Sequence, residues 1–133
     1  MHLEKYLRRA LANEEFSLNY QPLINTKTGK IRGFEALIRW TCPEIGNVPP
    51  SDFIPIAEEC GLIIPIGEWV LKTACLKKKQ WEKQYNSKAL ISVNISALQF
   101  KQADFVNKVR STLVQTGLSP EYLELETRPS YTA

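Results

Sequence analysis

Ile31-Arg-Gly-Phe-Glu-Ala-Leu-Ile-Arg-Trp40 is the stretch on which the fold turns. Phe34, Ala36, Ile38 and Trp40 fall on one side of an extended chain, and Gly33, Glu35, Leu37 and Arg39 fall on the other. That period of two predicts a β-strand with one apolar and one mostly polar face. Just upstream, Phe16 to Ile24 alternates in the same way, with Phe16, Leu18 and Tyr20 opposite Ser17, Asn19 and Gln21. Asn25-Thr-Lys-Thr-Gly29 between them has the residues of a turn, so the chain opens on an antiparallel hairpin.

Working outward, Leu3, Leu7, Ala10 and Leu11 predict a short amphipathic helix that ends near Asn13. Thr41 to Pro50 reads as a loop. Ser51 is the expected N-cap of a helix through Glu59, with Pro55 tolerated in its first turn, and Gly61 stops it. A longer helix follows from about Gly67 to Tyr85, with Val70, Ala74, Trp81 and Tyr85 on one stripe. Ala89 to Ser96 predicts a strand, Ala103 to Thr116 a helix through Phe105, Val106, Val109 and Leu113 capped by Gly117, and Tyr122 to Thr127 a last strand. The order β-β-α-α-β-α-β, with βαβ-like spacing after the hairpin, predicts an α/β fold whose sheet is mostly parallel. A closed eight-stranded α/β barrel needs roughly 250 residues, about twice what is present.

The 133 residues carry 17 basic and 14 acidic side chains, a net charge of +3. That margin is too small for a dedicated nucleic-acid binder, and the Lys77-Lys78-Lys79 run reads as a solvated helix face. His2 is the single histidine, which sets aside Ser-His-Asp triads, Cys-His dyads and histidine-rich zinc sites. Cys42, Cys60 and Cys75 are odd in number and form no Cys-x-x-Cys pair, so a reduced, cytoplasmic setting is expected. The most apolar stretch, Gly61 to Leu71, is broken by Pro65, Gly67 and Glu68, so no direct membrane contact is expected. Trp40, Trp69 and Trp81 lie on apolar stripes and are expected in the core.

The polar faces of the strands form a set. Ile91, Val93 and Ile95 oppose Ser92, Asn94 and Ser96, and Leu123 and Leu125 oppose Glu124 and Glu126. If helices cover the apolar faces, Gln21, Glu35, Arg39, Asn94 and Glu126 project from the other side of one sheet. A sheet with one wet side would show the same alternation. The alternative is a shared site: Mg²⁺ and Mn²⁺ prefer oxygen ligands in near-octahedral geometry, and Glu35, Asn94 and Glu126 supply three with two negative charges. Arg39 on the same face suits a phosphate, whose oxygens a guanidinium can fork.

Gly33-Phe-Glu-Ala-Leu-Ile-Arg-Trp40 resembles the Glu-Ala-Leu signature of the EAL domain family of cyclic di-GMP phosphodiesterases. Tyr20-Gln-Pro22, Val48-Pro-Pro50, Asp52-Phe-Ile-Pro-Ile-Ala-Glu58, Gly67-Glu-Trp-Val-Leu71, Ser92-Val-Asn-Ile-Ser96, Gln99-Phe100 and Leu123-Glu-Leu-Glu126 resemble that family's successive motifs, in order and at its spacing. The resemblance implies the N-terminal half of a modified TIM (β/α)₈ barrel with an antiparallel first strand. It also implies hydrolysis of cyclic di-GMP to linear pGpG with Mg²⁺ or Mn²⁺ in the complete domain. By position, Glu35 resembles the catalytic metal ligand, Asn94 and Glu126 its further metal ligands, and Gln21, Leu37, Arg39 and Pro55 the ligand-binding positions.

On this resemblance, residues 1–133 are a single incomplete EAL domain, family-like over 3–126 with a divergent tail over 127–133. The tail reads Thr127-Arg-Pro-Ser-Tyr-Thr-Ala133, with Pro129 where the family has a carboxylate. The family's Asp-Asp-Phe-Gly motif and its water-orienting lysine belong to the later half, so no turnover is expected from these residues alone. The alternative is a non-catalytic cyclic di-GMP-sensing or protein-interaction module. A homodimer through exposed strand edges is expected. Sensory or diguanylate cyclase domains in the parent protein are also expected.

Overall fold

The structure, a computed structural model, describes residues 3–128. Positions 129–133 of the divergent tail, including Pro129, lie outside the described residues. The chain runs α1 (Leu3–Ala10), β1 (Phe16–Ile24), β2 (Ile31–Cys42), β3 (Gly46–Val48), α2 (Pro50–Cys60), α3 (Ile63–Tyr85), β4 (Leu90–Ser96), α4 (Ala97–Phe100), α5 (Phe105–Thr116) and β5 (Leu123–Arg128).

The sheet order is β1-β2-β4-β5, with β3 pairing off β2. β1 runs antiparallel to β2 with Gln21 opposite Glu35, whereas β2, β4 and β5 are mutually parallel. The opening hairpin and its turn match the sequence reading: the Asn25 side-chain oxygen accepts from the Lys27 and Thr28 amides at 2.9 and 3.3 Å, an Asx turn. Gly33 lets β2 approach β4, because a Cβ there would overlap the Leu90 carbonyl.

One face of the sheet is covered by α1, α2 and α3. Ala36, Trp40, Ile91, Val93 and Ile95 are buried against Phe53, Ile66, Leu71, Ala74 and Cys75. Trp40 packs edge-on to Phe53 at 5.5 Å, and its indole N–H donates to Glu15 Oε1 at 2.9 Å, which satisfies its one polar atom. Phe16 sits 6.0 Å from Trp69, and Trp81 meets both Tyr20 and Phe34. The three tryptophans therefore belong to the core, as their stripes indicate.

Several boundaries differ from the periodicity reading, each for a local reason. α2 starts at Pro50 behind Pro49 rather than behind Ser51, so Pro55 sits in the helix interior instead of its first turn. α3 starts at Ile63, four residues early, because Pro65 falls in the first turn, where its missing N–H costs no helix bond. α4 and β3 were not expected; at four and three residues they are too short to show a period. The buried stripe of α3 runs Ile63, Ile66, Val70, Ala74, Lys78 and leaves Tyr85 72% exposed, contrary to expectation. Val106 is likewise exposed on α5.

Lys78 is the main correction. The expected solvated lysine is buried, its stem completing the α3 stripe. Its Nζ donates to the Ser87 carbonyl at 2.8 Å, lies 4.8 Å from the Tyr122 ring centre and is 3.9 Å from Glu82. No helix among the described residues is long and apolar enough to cross a membrane.

Candidate functional site

The site follows from where strand pairing stops. β2 and β4 pair in parallel only over Gly33–Ala36 and Leu90–Val93. Beyond that, from Trp40, β2 turns to pair with β3. Between the C-terminal stretches of β2 and β4, which no longer pair with each other, opens a cavity of about 260 Å³ lined also by residues of α2 and α3. Crevices at the C-terminal ends of parallel strands are where α/β folds place their ligands.

Glu35 and Asn94 meet at the mouth of this cavity. Parallel partners share a face, and Glu35 is in register with Ser92, so Asn94 stands one side-chain position further along the same face. The Asn94 Nδ2 donates to Glu35 Oε2 at 2.9 Å. Glu126 is the register partner of Asn94 on β5 and therefore shares that face, but it is exposed and does not line the cavity. Its neighbour Glu124 pairs with Arg32 at 3.3 Å. Leu37 and Arg39 line the cavity, and Arg39 Nη1 donates to the Ile38 carbonyl at 3.0 Å, which folds the guanidinium back along β2. Gln21 lies across the hairpin from Glu35, on the same face and outside the cavity. Pro55 sits on α2 between two lining residues, Ile54 and Glu58, and is not itself in the lining.

Three residues that the sequence reading does not name as site residues, Glu58, Ser96 and Gln99, complete the wall. Glu58 on α2 is only 5% exposed, and its Oε2 accepts from Ser96 Oγ at 2.8 Å. Ser96 caps α4: its Oγ accepts from the Leu98 amide at 3.2 Å, and Gln99 Oε1 accepts from the Ser96 amide at 3.1 Å, a reciprocal capping box. Gln99 in turn lies on Gly67 of α3, where any Cβ would overlap the glutamine amide. Glu58, Ser96 and Gln99 each fall in one of the family-like motifs, and the Ser-x-x-Gln spacing of Ser96 and Gln99 is itself a capping-box signal.

The donors fit a hard divalent cation in kind. Glu35 and Glu126 are carboxylates and Asn94 an amide, oxygen-bearing types that could hold such a cation, with Glu126 one strand away from the bonded Glu35–Asn94 pair. Among the described residues no three His, Cys, Asp or Glu side chains gather as a metal group.

The element order, the antiparallel first strand and the crevice at the strand ends define the class of this protein, the opening half of a TIM-barrel-like α/β domain. The chain belongs to the EAL domain family, which matches residues 4–132. It is 47% identical over 120 residues to an uncharacterized protein, y4lL, of Sinorhizobium fredii, a match covering 90% of this chain and 14% of that one. It is 43% identical over 124 residues to the bifunctional diguanylate cyclase/cyclic di-GMP phosphodiesterase MucR of Pseudomonas aeruginosa, covering 93% of this chain and 18% of that one. A solved MucR phosphodiesterase in complex with cyclic di-GMP superposes with a TM-score of 0.90 at 42% identity, over 94% of this chain and 51% of that one. The Xanthomonas citri FimX EAL domain in complex with cyclic di-GMP superposes at 0.78 with 28% identity, over 92% and 47%. The chain thus spans about half of these solved structures and 14% to 18% of the two curated relatives.

Proposed function

We propose that these residues form the N-terminal half of a cyclic di-GMP phosphodiesterase site, with Glu35, Asn94 and Glu126 as ligands for Mg²⁺ or Mn²⁺. Gln21, Leu37, Arg39 and Pro55 contact the nucleotide. The observation that carries this reading is the 2.9 Å bond from Asn94 to Glu35 in a cavity that Arg39 also lines. The chain's likeness to MucR, a bifunctional diguanylate cyclase/cyclic di-GMP phosphodiesterase solved with cyclic di-GMP, supports it.

In this reading, Arg39 forks two oxygens of one phosphate and neutralises it, and Leu37 presents an apolar surface beside it. Glu35 is the catalytic carboxylate, held by Asn94 in the orientation that faces the phosphate. A bound divalent cation would supply Lewis-acid polarisation of a phosphate oxygen. Residues 1–133 span about half of the solved MucR phosphodiesterase chain, and the reading gives them nucleotide binding without turnover on their own. The second reading is a non-catalytic cyclic di-GMP-sensing or protein-interaction module built on the same cavity. The outer edges of β1 and β5 are open in the described sheet, and a homodimer would form by pairing there. The setting is cytoplasmic, with sensory or diguanylate cyclase domains in the parent protein.

Calorimetry with cyclic di-GMP in Mn²⁺ tests this. Binding that weakens about tenfold or more in Arg39→Ala supports it, since one charge-assisted fork is lost. Absence of binding by the wild-type chain, or an Arg39→Ala variant that binds as wild type, would sink it.

A further inference from the structure

We propose that Glu58 is a positioning residue for Asn94, acting through Ser96; the inference rests on the reading of Asn94 as a site residue. Asn94 and Ser96 are two apart on β4 and face the same side, so any rotation of the strand end moves both. β4 has no β2 partner beyond Val93, which leaves its last residues on that side without a ladder to hold them. β5 pairs with them on the other side as far as Ser96, and toward α2 the added hold is the Glu58 carboxylate. It reaches from α2 to the Ser96 hydroxyl at 2.8 Å, while the capping box fixes the Ser96 backbone to Gln99. Glu58 is 5% exposed, so this hydrogen bond forms away from bulk water, where it is strong and directional.

The role needs an acceptor at Glu58, not a charge. Glu58→Gln keeps an oxygen that can accept from Ser96, whereas Glu58→Ala and Ser96→Ala each remove the bond. The test is a set of ¹H–¹⁵N spectra of the labelled 133-residue chain, with no ligand present, following the Asn94 side-chain amide and the exchange of the Leu98 backbone amide. Glu58→Ala is expected to displace the Asn94 amide signals and speed Leu98 exchange about tenfold, the worth of one such bond. Glu58→Gln is expected to keep both near wild type. Ser96→Ala is expected to displace the Asn94 signals as Glu58→Ala does, and it decides the matter if Glu58→Ala does not fold. Asn94 signals at their wild-type positions in a folded Glu58→Ala chain, or in Ser96→Ala, overturn the proposal, as does a Glu58→Gln chain that behaves like Glu58→Ala. Cyclic di-GMP added to the same samples gives an independent readout, with affinity falling in Glu58→Ala and kept in Glu58→Gln. A wild-type chain that ignores the nucleotide overturns the functional reading alone, because the ligand-free amide signals still judge Glu58.

Discussion

The side-chain amide of Asn94 donates to the Glu35 carboxylate at 2.9 Å, joining residues that stand 59 positions apart in sequence. The contact exists because a parallel register between β2 and β4 puts Ser92 beside Glu35, and β4 then carries Asn94 one step further on the same face. An amide suits this position: its nitrogen satisfies the carboxylate without adding a second negative charge, and its oxygen stays a donor of the kind hard cations accept.

Asn94→Asp should invert that balance. Two carboxylates at hydrogen-bond distance repel each other when both are ionised, a repulsion the unfolded chain, with the two groups apart, does not feel. The penalty is therefore present at neutral pH, where both groups are ionised in the unfolded chain, and shrinks as pH falls toward about 4. Urea unfolding should show Asn94→Asp about 1–3 kcal/mol less stable than wild type at neutral pH. Mn²⁺ should recover part of that loss by binding the folded state. Equal stability of the two chains at neutral pH would refute the geometry.

Lys78 is expected to behave as a core residue in spite of its place in a run of lysines. Its Nζ satisfies the Ser87 carbonyl and lies over the Tyr122 ring, tying α3 to the loop before β4 and to the turn before β5. Lys78→Ala leaves that carbonyl unpaired and empties the volume of the stem, a loss of about 2–4 kcal/mol. Lys77→Ala, at a half-buried neighbouring position, should change stability by under about 1 kcal/mol. Chemical denaturation of both variants checks the contrast, which a solvated Lys78 would abolish.

The thiols and Tyr20 give a test at alkaline pH. Burial pushes the Cys75 thiol from its ordinary 9.0 up to about 11, and Tyr20 from 10.0 up to about 12. Burial also raises Cys42. Both Cys75 and Tyr20 keep their protons longer when folded, so the stability they contribute is fully present below the unfolded values and is lost as pH climbs toward the folded ones. Lys78, lowered by its burial, works in the opposite sense. Urea midpoints should fall between pH 9 and 11, and Cys75→Ala should flatten that fall. In the folded chain Cys60, the one thiol that is not buried, should react first with a disulfide reagent. Cys75 reacting as fast as Cys60 would contradict this.

The hairpin and the polar sheet face were legible because alternation is a local property: Phe16, Leu18 and Tyr20 face the core, and Gln21 and Glu35 face away from it, whatever else the chain does. Lys78 was misread because its charge, read locally, hides a stem at a buried helical spacing. The wall formed by Glu58, Ser96 and Gln99 joins α2, β4 and α4, and no period within one element reports contacts between three. Tyr85 falls on the right stripe but beyond the end of the sheet that would cover it, a distance that helix periodicity does not measure.

Electron paramagnetic resonance of Mn²⁺ titrated into the 133-residue chain with cyclic di-GMP, in wild type and in Glu35→Gln, is the most direct measurement. The account predicts loss of free Mn²⁺ signal with the wild-type chain and a marked weakening with Glu35→Gln. Equal titrations, or none with either chain, would contradict the gathering of these oxygen donors around a cation.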